Sequence, residues 1–388
     1  MSASAPVSIV GAGVVSAAGR GRPRLFEALL RAVPLGNPTC RYSREGLETT
    51  HTARVPDAIW HELANQHPGR PRAVQLAHAA IEEALAGRSL APSTGLFVGT
   101  SLGCIEPWEE WHCAYVAHGH TQPMPRHHDH ADVAWALADD LSLDGPVVTV
   151  STACTSSAAA LMQAADAIRA GELDRALVVG VDVVGRFVHA GFDRLAALSP
   201  DGQVPAPFAS ERAGMWLGEA AAAMVISREG VACGRFLGGG TAGDGVHMTA
   251  PDRFGGGAYR ACVRALAEAG LSPAQIGWVS AHATGTRFND GMEAAALRRV
   301  FDGSIPPVHA AKPVLGHTLG ASGLLEAVIG LEVLSRRVRP PTPRAGTHDP
   351  ALADVPLDAA AQPFVGDAVL SLNSALAGHN SALVLGAA

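Results

Sequence analysis

The sequence holds no CxxC pair, no apolar run approaching the roughly 20 residues of a membrane span, and only one lysine, Lys312, among its 29 basic side chains. The six cysteines, Cys40, Cys104, Cys113, Cys154, Cys233 and Cys262, are scattered. The chain is also too long to need stapling, so they do not read as a disulfide framework and a reducing compartment is expected. The first residues lack a basic stretch, and their apolar run is broken by Gly11, Gly13 and Gly19, which is not the pattern of a secretion signal. The expected location is therefore the cytoplasm, with no membrane partner. Acidic side chains outnumber basic ones for a net charge of -7, which argues against nucleic acid as a partner. What the sequence does have is apolar substance. At 48% hydrophobic and 17% charged residues over 388 positions, it has enough for a sizeable core, and disorder is excluded.

Short β-branched runs alternate with Ala/Leu-rich runs. Strands are expected at 7–11, 95–99, 147–153, 176–183, 222–227, 278–283, 368–372 and 382–385. Helices are expected at 23–32, 72–86, 157–170, 258–269, 291–301 and 322–335. Several strands are apolar without alternation, so their sheets are covered on both faces. The fold class is α/β with more than one layer. The weakest seam is the glycine-rich stretch 228–240, which suggests halves at 1–230 and 231–388. Residues 340–350, rich in proline, read as an ordered surface loop.

In Thr149-Val-Ser-Thr-Ala-Cys154-Thr-Ser-Ser-Ala, a strand ends, a cysteine follows, and an alanine-rich helix starts at once. A sulfur at a helix N-terminus meets unpaired N–H groups and the positive dipole end, which favour thiolate. Small neighbours leave room for an acyl group. A buried structural cysteine would fit the same residues taken alone.

Two histidines sit in comparable settings. His282 follows the run Trp278-Val-Ser-Ala and precedes Ala-Thr284-Gly-Thr286, whose hydroxyls suit a polar ligand tail. Asp290 and Glu293 then fall in the first turn of a helix expected to start near Asn289, where capping is their natural role. His317 lies in a glycine-punctuated loop, Lys312-Pro-Val-Leu-Gly-His317-Thr-Leu-Gly-Ala-Ser-Gly, that runs into a helix carrying Glu326. A lone ammonium in apolar surroundings needs a partner, and Glu326 is the nearest carboxylate. Either histidine alone also suits a structural role.

Together these segments resemble a β-ketoacyl synthase of the condensing-enzyme, thiolase-fold superfamily. The nucleophile motif is Thr152-Ala-Cys154-Thr-Ser-Ser, and the histidine motifs are His282-Ala-Thr-Gly-Thr and Lys312 through Gly323. The opening Ser8 to Gly19 and the stretch Pro207-Phe208 through Arg212 to Leu217-Gly-Glu219 fit as well. The order and gaps of three motifs make the resemblance specific over nearly the whole chain. It implies a layered α-β-α-β-α fold of two similar half-domains. It further implies an acyl group carried on Cys154, and decarboxylation of a malonyl thioester with the help of His282 and His317. Lys312 would tune the field through Glu326. An acyl carrier protein is the implied partner and delivers its own phosphopantetheine. A homodimer, or a heterodimer with a related subunit, is implied too, with no metal and no organic cofactor. Polyketide, polyene or specialised fatty-acid synthesis is the implied setting. The same scaffold could host an acyltransferase or malonyl decarboxylase. A non-catalytic partner subunit fits poorly, since such subunits lack the nucleophile.

The sequence departs from the family pattern in places. Ala283 stands where glycine is usual, with little effect expected. The loop Asn373-Ser-Ala-Leu-Ala-Gly-His-Asn380 is one residue short and lacks both family phenylalanines, so either Leu376 takes the place of the usual gate or the gate is absent, and Leu376, Ala377 and Gly378 stand where the family has its acyl-pocket and oxyanion loop. Residues 104–130 gather Trp108, Trp111, His112, Cys113, His118, His120, His127, His128 and His130. Their spacing fits no metal-ligand pattern, and a variable interface is expected there. Gly11-Ala-Gly13 mimics a dinucleotide fingerprint but lacks the third glycine and the acidic residue downstream.

Overall fold

The computed structural model describes residues 4–39, 41–119, 123–343 and 346–388, so Cys40 and His120 lie outside the described residues. Ten strands carry the architecture. They are β1 (Val7–Ser16), β2 (Gly95–Gly99), β3 (Val147–Val150), β4 (Arg175–Asp182), β5 (Ala220–Ser227), β6 (Gly234–Gly243), β7 (Ile276–Ser280), β8 (Val308–His309), β9 (Ala368–Ser374) and β10 (His379–Gly386). They form one continuous path in the order β8-β7-β9-β10-β6-β1-β5-β4-β2-β3, and a two-residue strand, Gly19–Arg20, is added beside β1.

That order is a duplication. The first half reads β1-β5-β4-β2-β3 and the second β6-β10-β9-β7-β8, the same arrangement five strands later. Only β5 runs against the rest of the first half, and only β10 against the rest of the second. The halves join where β1 pairs antiparallel with β6, Val7 opposite Phe236 and Ile9 opposite Gly234.

Helices complete the layers. Helix α1 (Arg72–Leu85) covers β1 and β5 from outside. Helix α2 (Ile105–His118) follows β2, and α3 (Ser156–Arg169) follows the turn that carries Cys154. Helix α4 (Arg186–Arg194) precedes the second half, where α5 (Gly256–Ala269) covers β6 and β10. Helix α6 (Arg287–Val300) packs beside α5, and α7 (Ser322–Arg336) pairs with α3 in the central layer. This is the α-β-α-β-α arrangement that the resemblance implied. The central helices touch closely because their facing residues are small. A Cβ on Gly323 would lie 2.7 Å from the Ala158 backbone nitrogen.

Two expectations change. The seam at 228–240 is mostly strand, since β6 starts at Gly234. Its glycines serve packing. Cβ atoms on Gly238 and Gly240 would fall 2.6 and 2.2 Å from the Ala265 and Ala261 carbonyl oxygens of α5. Gly11 and Gly13 do the same on β1, each 2.1 Å from a carbonyl oxygen of α1. The Gly-Ala-Gly run is therefore the interior of a strand under a close helix, and no phosphate loop is present there. The start of the 340–350 loop is also not at the surface: Pro340, Pro341 and Thr342 are buried, with the Thr342 Oγ1 accepting from Ala310 N at 3.1 Å. No helix among the described residues is long and apolar enough to cross a membrane.

Candidate active site

Cys154 follows β3 through a turn that no helix or strand geometry would supply. Ala153 holds the left-handed backbone at φ 52°, which costs a non-glycine residue about 1–2 kcal/mol. Hydroxyls tie the turn. Thr155 Oγ1 donates to Thr152 O at 2.7 Å, Ser156 Oγ donates to Ala153 O at 2.5 Å, and Thr152 N donates to Ser156 Oγ at 2.9 Å. The result sets the sulfur just before α3, at the floor of a cavity of about 510 Å³. The thiolate expectation does not survive burial. Cys154 is 6% exposed, and burial pushes its thiol up to about 12, with the nearby Lys312 charge pulling only partly the other way.

The His317 ring faces the sulfur. Its Nε2 lies 3.0 Å from Cys154 Sγ and its Nδ1 3.1 Å from Ser322 Oγ. The His282 ring stands 5.1 Å away, nearly perpendicular at 86°, and makes no side-chain hydrogen bond among the described residues. Burial first, and then the Lys312 ammonium, push both imidazoles well below the ordinary histidine range, so both are neutral at pH 7. The resting site is thus a thiol beside two neutral imidazoles.

Buried carboxylates hold this geometry. Glu293 accepts from His282 N at 2.6 Å and Ala283 N at 2.8 Å. Asp290 accepts from Gly285 N at 3.1 Å and Phe208 N at 2.8 Å. Their expected capping role is corrected: α6 starts at Arg287, only Asp290 falls in its first turn, and both carboxylates reach back to the histidine loop. Ala283 matters more than expected, because it holds φ 41°, where glycine would be unstrained. Burial pushes Glu293 up to about 8 and Asp290 to about 6. The folded state then keeps protons that the unfolded chain releases near pH 4, so stability falls as pH rises from about 4 to 8, by up to about 1.4 kcal/mol per unit from Glu293. Urea unfolding at pH 5, 6, 7 and 8 is expected to show that slope in the wild type and a flatter one in Glu293→Gln.

Lys312 Nζ donates to Glu326 Oε1 at 2.7 Å, and Asn373 Nδ2 donates to Glu326 Oε2 at 2.7 Å, all three residues buried. Sequence reasoning missed Asn373 in this role, and it missed Asp182. At the end of β4, the Asp182 carboxylate accepts from Thr100 Oγ1 at 2.7 Å, Leu102 N at 2.9 Å and Gly320 N at 2.6 Å. It thereby clamps the His317 loop of one half onto the other half. The visible signal was a lone acid closing the apolar run Leu177-Val-Val-Gly-Val-Asp182. The stretch ending in Glu219 supports the same loop, since His317 N donates to Trp216 O at 2.7 Å and Gly218 N to His317 O at 2.8 Å.

Thr284 and Thr286 line the cavity, their hydroxyls 3.0 Å apart. Leu376, Ala377 and Gly378 line it too, with Leu376 at 41% exposed on the rim. Ala377 N donates to Met248 O at 2.7 Å, so this N–H is not offered to an oxyanion. His379, two residues on, places Nδ1 2.8 Å from Thr155 Oγ1 and ties the short loop to the Cys154 turn.

The histidines of 104–130 do not converge among the described residues. His128 Nδ1 meets Pro125 O at 2.9 Å, His130 Nε2 meets Ser101 O at 2.9 Å, and His112 stacks on Trp108. The one group of potential ligands drawn together among the described residues is Cys154, His282 and His317, with donor atoms within 4.8 Å of one another.

A duplicated α/β fold brings a buried Cys–His–His cluster to the wall of a cavity, an arrangement suited to thiol chemistry. Comparison with known proteins gives the family. The profile of the β-ketoacyl synthase N-terminal domain matches residues 4–232, and that of the C-terminal domain matches residues 233–345. The 3-oxoacyl-[acyl-carrier-protein] synthase 2 of Mycobacterium leprae is 37% identical over 62% of this chain and 60% of its own length, so the match spans less than two thirds of that relative. A Streptomyces cyaneus protein named as a polyketide β-ketoacyl synthase 1 is 30% identical over 98% of this chain and 97% of its own. Two solved structures share 30% identity: the ishigamide ketosynthase/chain length factor (TM-score 0.92, all of both chains) and the ketosynthase ApeO in complex with its chain length factor ApeC from Xenorhabdus doucetiae (TM-score 0.84, 99% and 98%). The chain belongs to the β-ketoacyl synthase family.

Proposed function

We propose that this chain is a β-ketoacyl-[acyl carrier protein] synthase, an acyltransferase that joins an acyl group held on Cys154 to the enolate of a malonyl thioester. The observation that carries this reading is the neutral His317 Nε2 at 3.0 Å from Cys154 Sγ, with the free His282 ring beside it. In the first step His317 Nε2 takes the thiol proton as sulfur attacks the acyl thioester, and the proton passes to the departing carrier thiolate. Proton transfer within a hydrogen bond suits a thiol held near 12, whose thiolate is absent at rest. The backbone N–H of Cys154 is the oxyanion donor at the nucleophile turn.

In the second step the malonyl thioester loses CO2, and its enolate oxygen accepts hydrogen bonds from both imidazoles. Ser322 Oγ can accept from or donate to His317 Nδ1, so His317 can take either tautomer and serve both steps. The enolate carbon attacks the acyl–Cys154 carbonyl, the sulfur leaves and takes a proton, and the β-ketoacyl chain departs on the carrier. No step needs a metal or organic cofactor.

An acyl carrier protein is the proposed donor of both thioesters, in polyketide, polyene or specialised fatty-acid synthesis. Pairing with a second ketosynthase-like subunit is supported by α2, which buries none of its residues within the chain, and by the two solved relatives described with a chain length factor. A second reading rests on the short loop at 373–380. With the Ala377 N–H committed to Met248 O, decarboxylation could outrun condensation. Incubation with acyl-carrier and labelled malonyl-carrier is expected to give one CO2 per β-ketoacyl product. CO2 and acetyl-carrier without the longer product would support the second reading and overturn the first.

A further inference from the structure

We infer that Arg287 is a binding residue for the phosphate at the end of a pantetheine arm, an inference that rests on the thioester reading above. The cavity above Cys154 holds about 510 Å³, within the range of about 300–1,000 Å³ typical of small-molecule sites. Its floor is the thiol and its walls include the hydroxyls of Thr284, Thr286 and Thr249, which suit the amides of an extended polar chain. Among the described residues no carboxylate lines it, and the two cations that do are Arg212 and Arg287.

Their states differ. Arg212 is buried and committed, with Nη1 at 2.6 Å from Asp349 Oδ2 and Nε at 3.9 Å from Asp290 Oδ2. Arg287 is exposed and has no hydrogen bond or ion pair among the described residues. It shares the cavity rim with Phe288 at 75% exposed and Leu376 at 41% exposed. Among the described residues, the one uncommitted charge on the cavity wall is therefore an exposed guanidinium, in a cavity whose buried wall holds Cys154. A thioester that reaches Cys154 and ends in an anion places that anion at the rim, where a planar fork with five donors matches phosphate oxygens. The motif that carries Thr284 and Thr286 supplies Arg287 as its next residue, so the hydroxyls and the guanidinium are set by one loop.

The phosphate can belong to a carrier protein's phosphopantetheine or to coenzyme A, and the test separates them. Equilibrium binding of 4′-phosphopantetheine and of pantetheine is measured on the wild type, Arg287→Gln and Arg287→Lys, followed by Cys154 acylation from acyl-pantetheine, acyl-coenzyme A and acyl-carrier. The phosphate is expected to improve wild-type binding about tenfold, or about 1.4 kcal/mol. Arg287→Gln loses that gain while its pantetheine binding is unchanged, and Arg287→Lys keeps part of it. A raised KM with acyl-carrier alone assigns the contact to the carrier's phosphodiester. A raised KM with acyl-coenzyme A as well assigns it to either source. A phosphate gain that persists in Arg287→Gln, or an equal loss for pantetheine, overturns the inference. Failure of Cys154 to acylate with any donor, alongside Arg287-dependent phosphate binding, would instead sink the condensing reading and leave the anion site standing.

Discussion

Cys154→Ala is expected to lower condensation by at least about 10³-fold while release of CO2 from the malonyl thioester continues. In the proposed mechanism the two half-reactions use different atoms. Acyl transfer needs the sulfur, which nothing else near the cavity floor replaces. Decarboxylation needs only donors for the enolate oxygen, a role proposed for His282 and His317, whose backbone anchors do not involve Cys154. The variant removes one side chain from a turn held by Thr155 and Ser156 hydroxyls, so folding should survive. The measurement pairs CO2 release with product analysis on one sample. Loss of both activities in a folded variant would mean that the sulfur also orders the imidazoles. Survival of condensation would move the nucleophile elsewhere.

The second large effect concerns the Lys312–Glu326 pair. Lys312→Met leaves the Glu326 carboxylate buried with only Asn373 to satisfy it, and Glu326→Met leaves a buried ammonium with its partner gone. Each is expected to destabilise the fold by about 3–5 kcal/mol. The double variant removes both charges together and should recover much of that loss, because well-packed apolar groups are a fair substitute for a buried ion pair. A double-mutant cycle by chemical denaturation checks this. The double variant also isolates the electrostatic role of the lysine. The Lys312 charge helps hold His282 and His317 below their ordinary range, so its removal lets them protonate at higher pH. The acid limb of the pH–rate profile should then shift toward neutral. An unmoved limb would show that burial alone keeps the imidazoles neutral.

The residues that converge on the cavity were legible in the sequence because each lies in a short segment with its own local signal. Cys154 is marked by a strand that gives way to an alanine-rich helix, His282 by a strand ending in small and hydroxyl residues, and Lys312 by being the only lysine. The supports were less legible, because their partners are far away along the chain. Asp182 and Gly320 meet across 138 residues and Asn373 and Glu326 across 47, distances at which no spacing rule operates. Asp290 and Glu293 misled because an acid early in a helix normally serves its own N-terminus, whereas here the preceding loop folds over the helix and takes up both carboxylates. Strand β6 was hidden by its glycines, which read as a seam between halves until α5 is seen lying on them. The same device on β1 shows that Gly-x-Gly in the first strand of each half was the trace of the duplication. The thiol's protonation state went the other way from the helix-end argument, because desolvation at a 6% exposed sulfur outweighs a partial charge.

The most direct test is the intact mass of the protein through one turnover. The account predicts an acyl adduct on Cys154 after exposure to acyl-carrier, then return to the free mass and appearance of a β-ketoacyl-carrier when malonyl-carrier is added. An acyl adduct that persists in the presence of malonyl-carrier, or the same longer product made by Cys154→Ala, would contradict it.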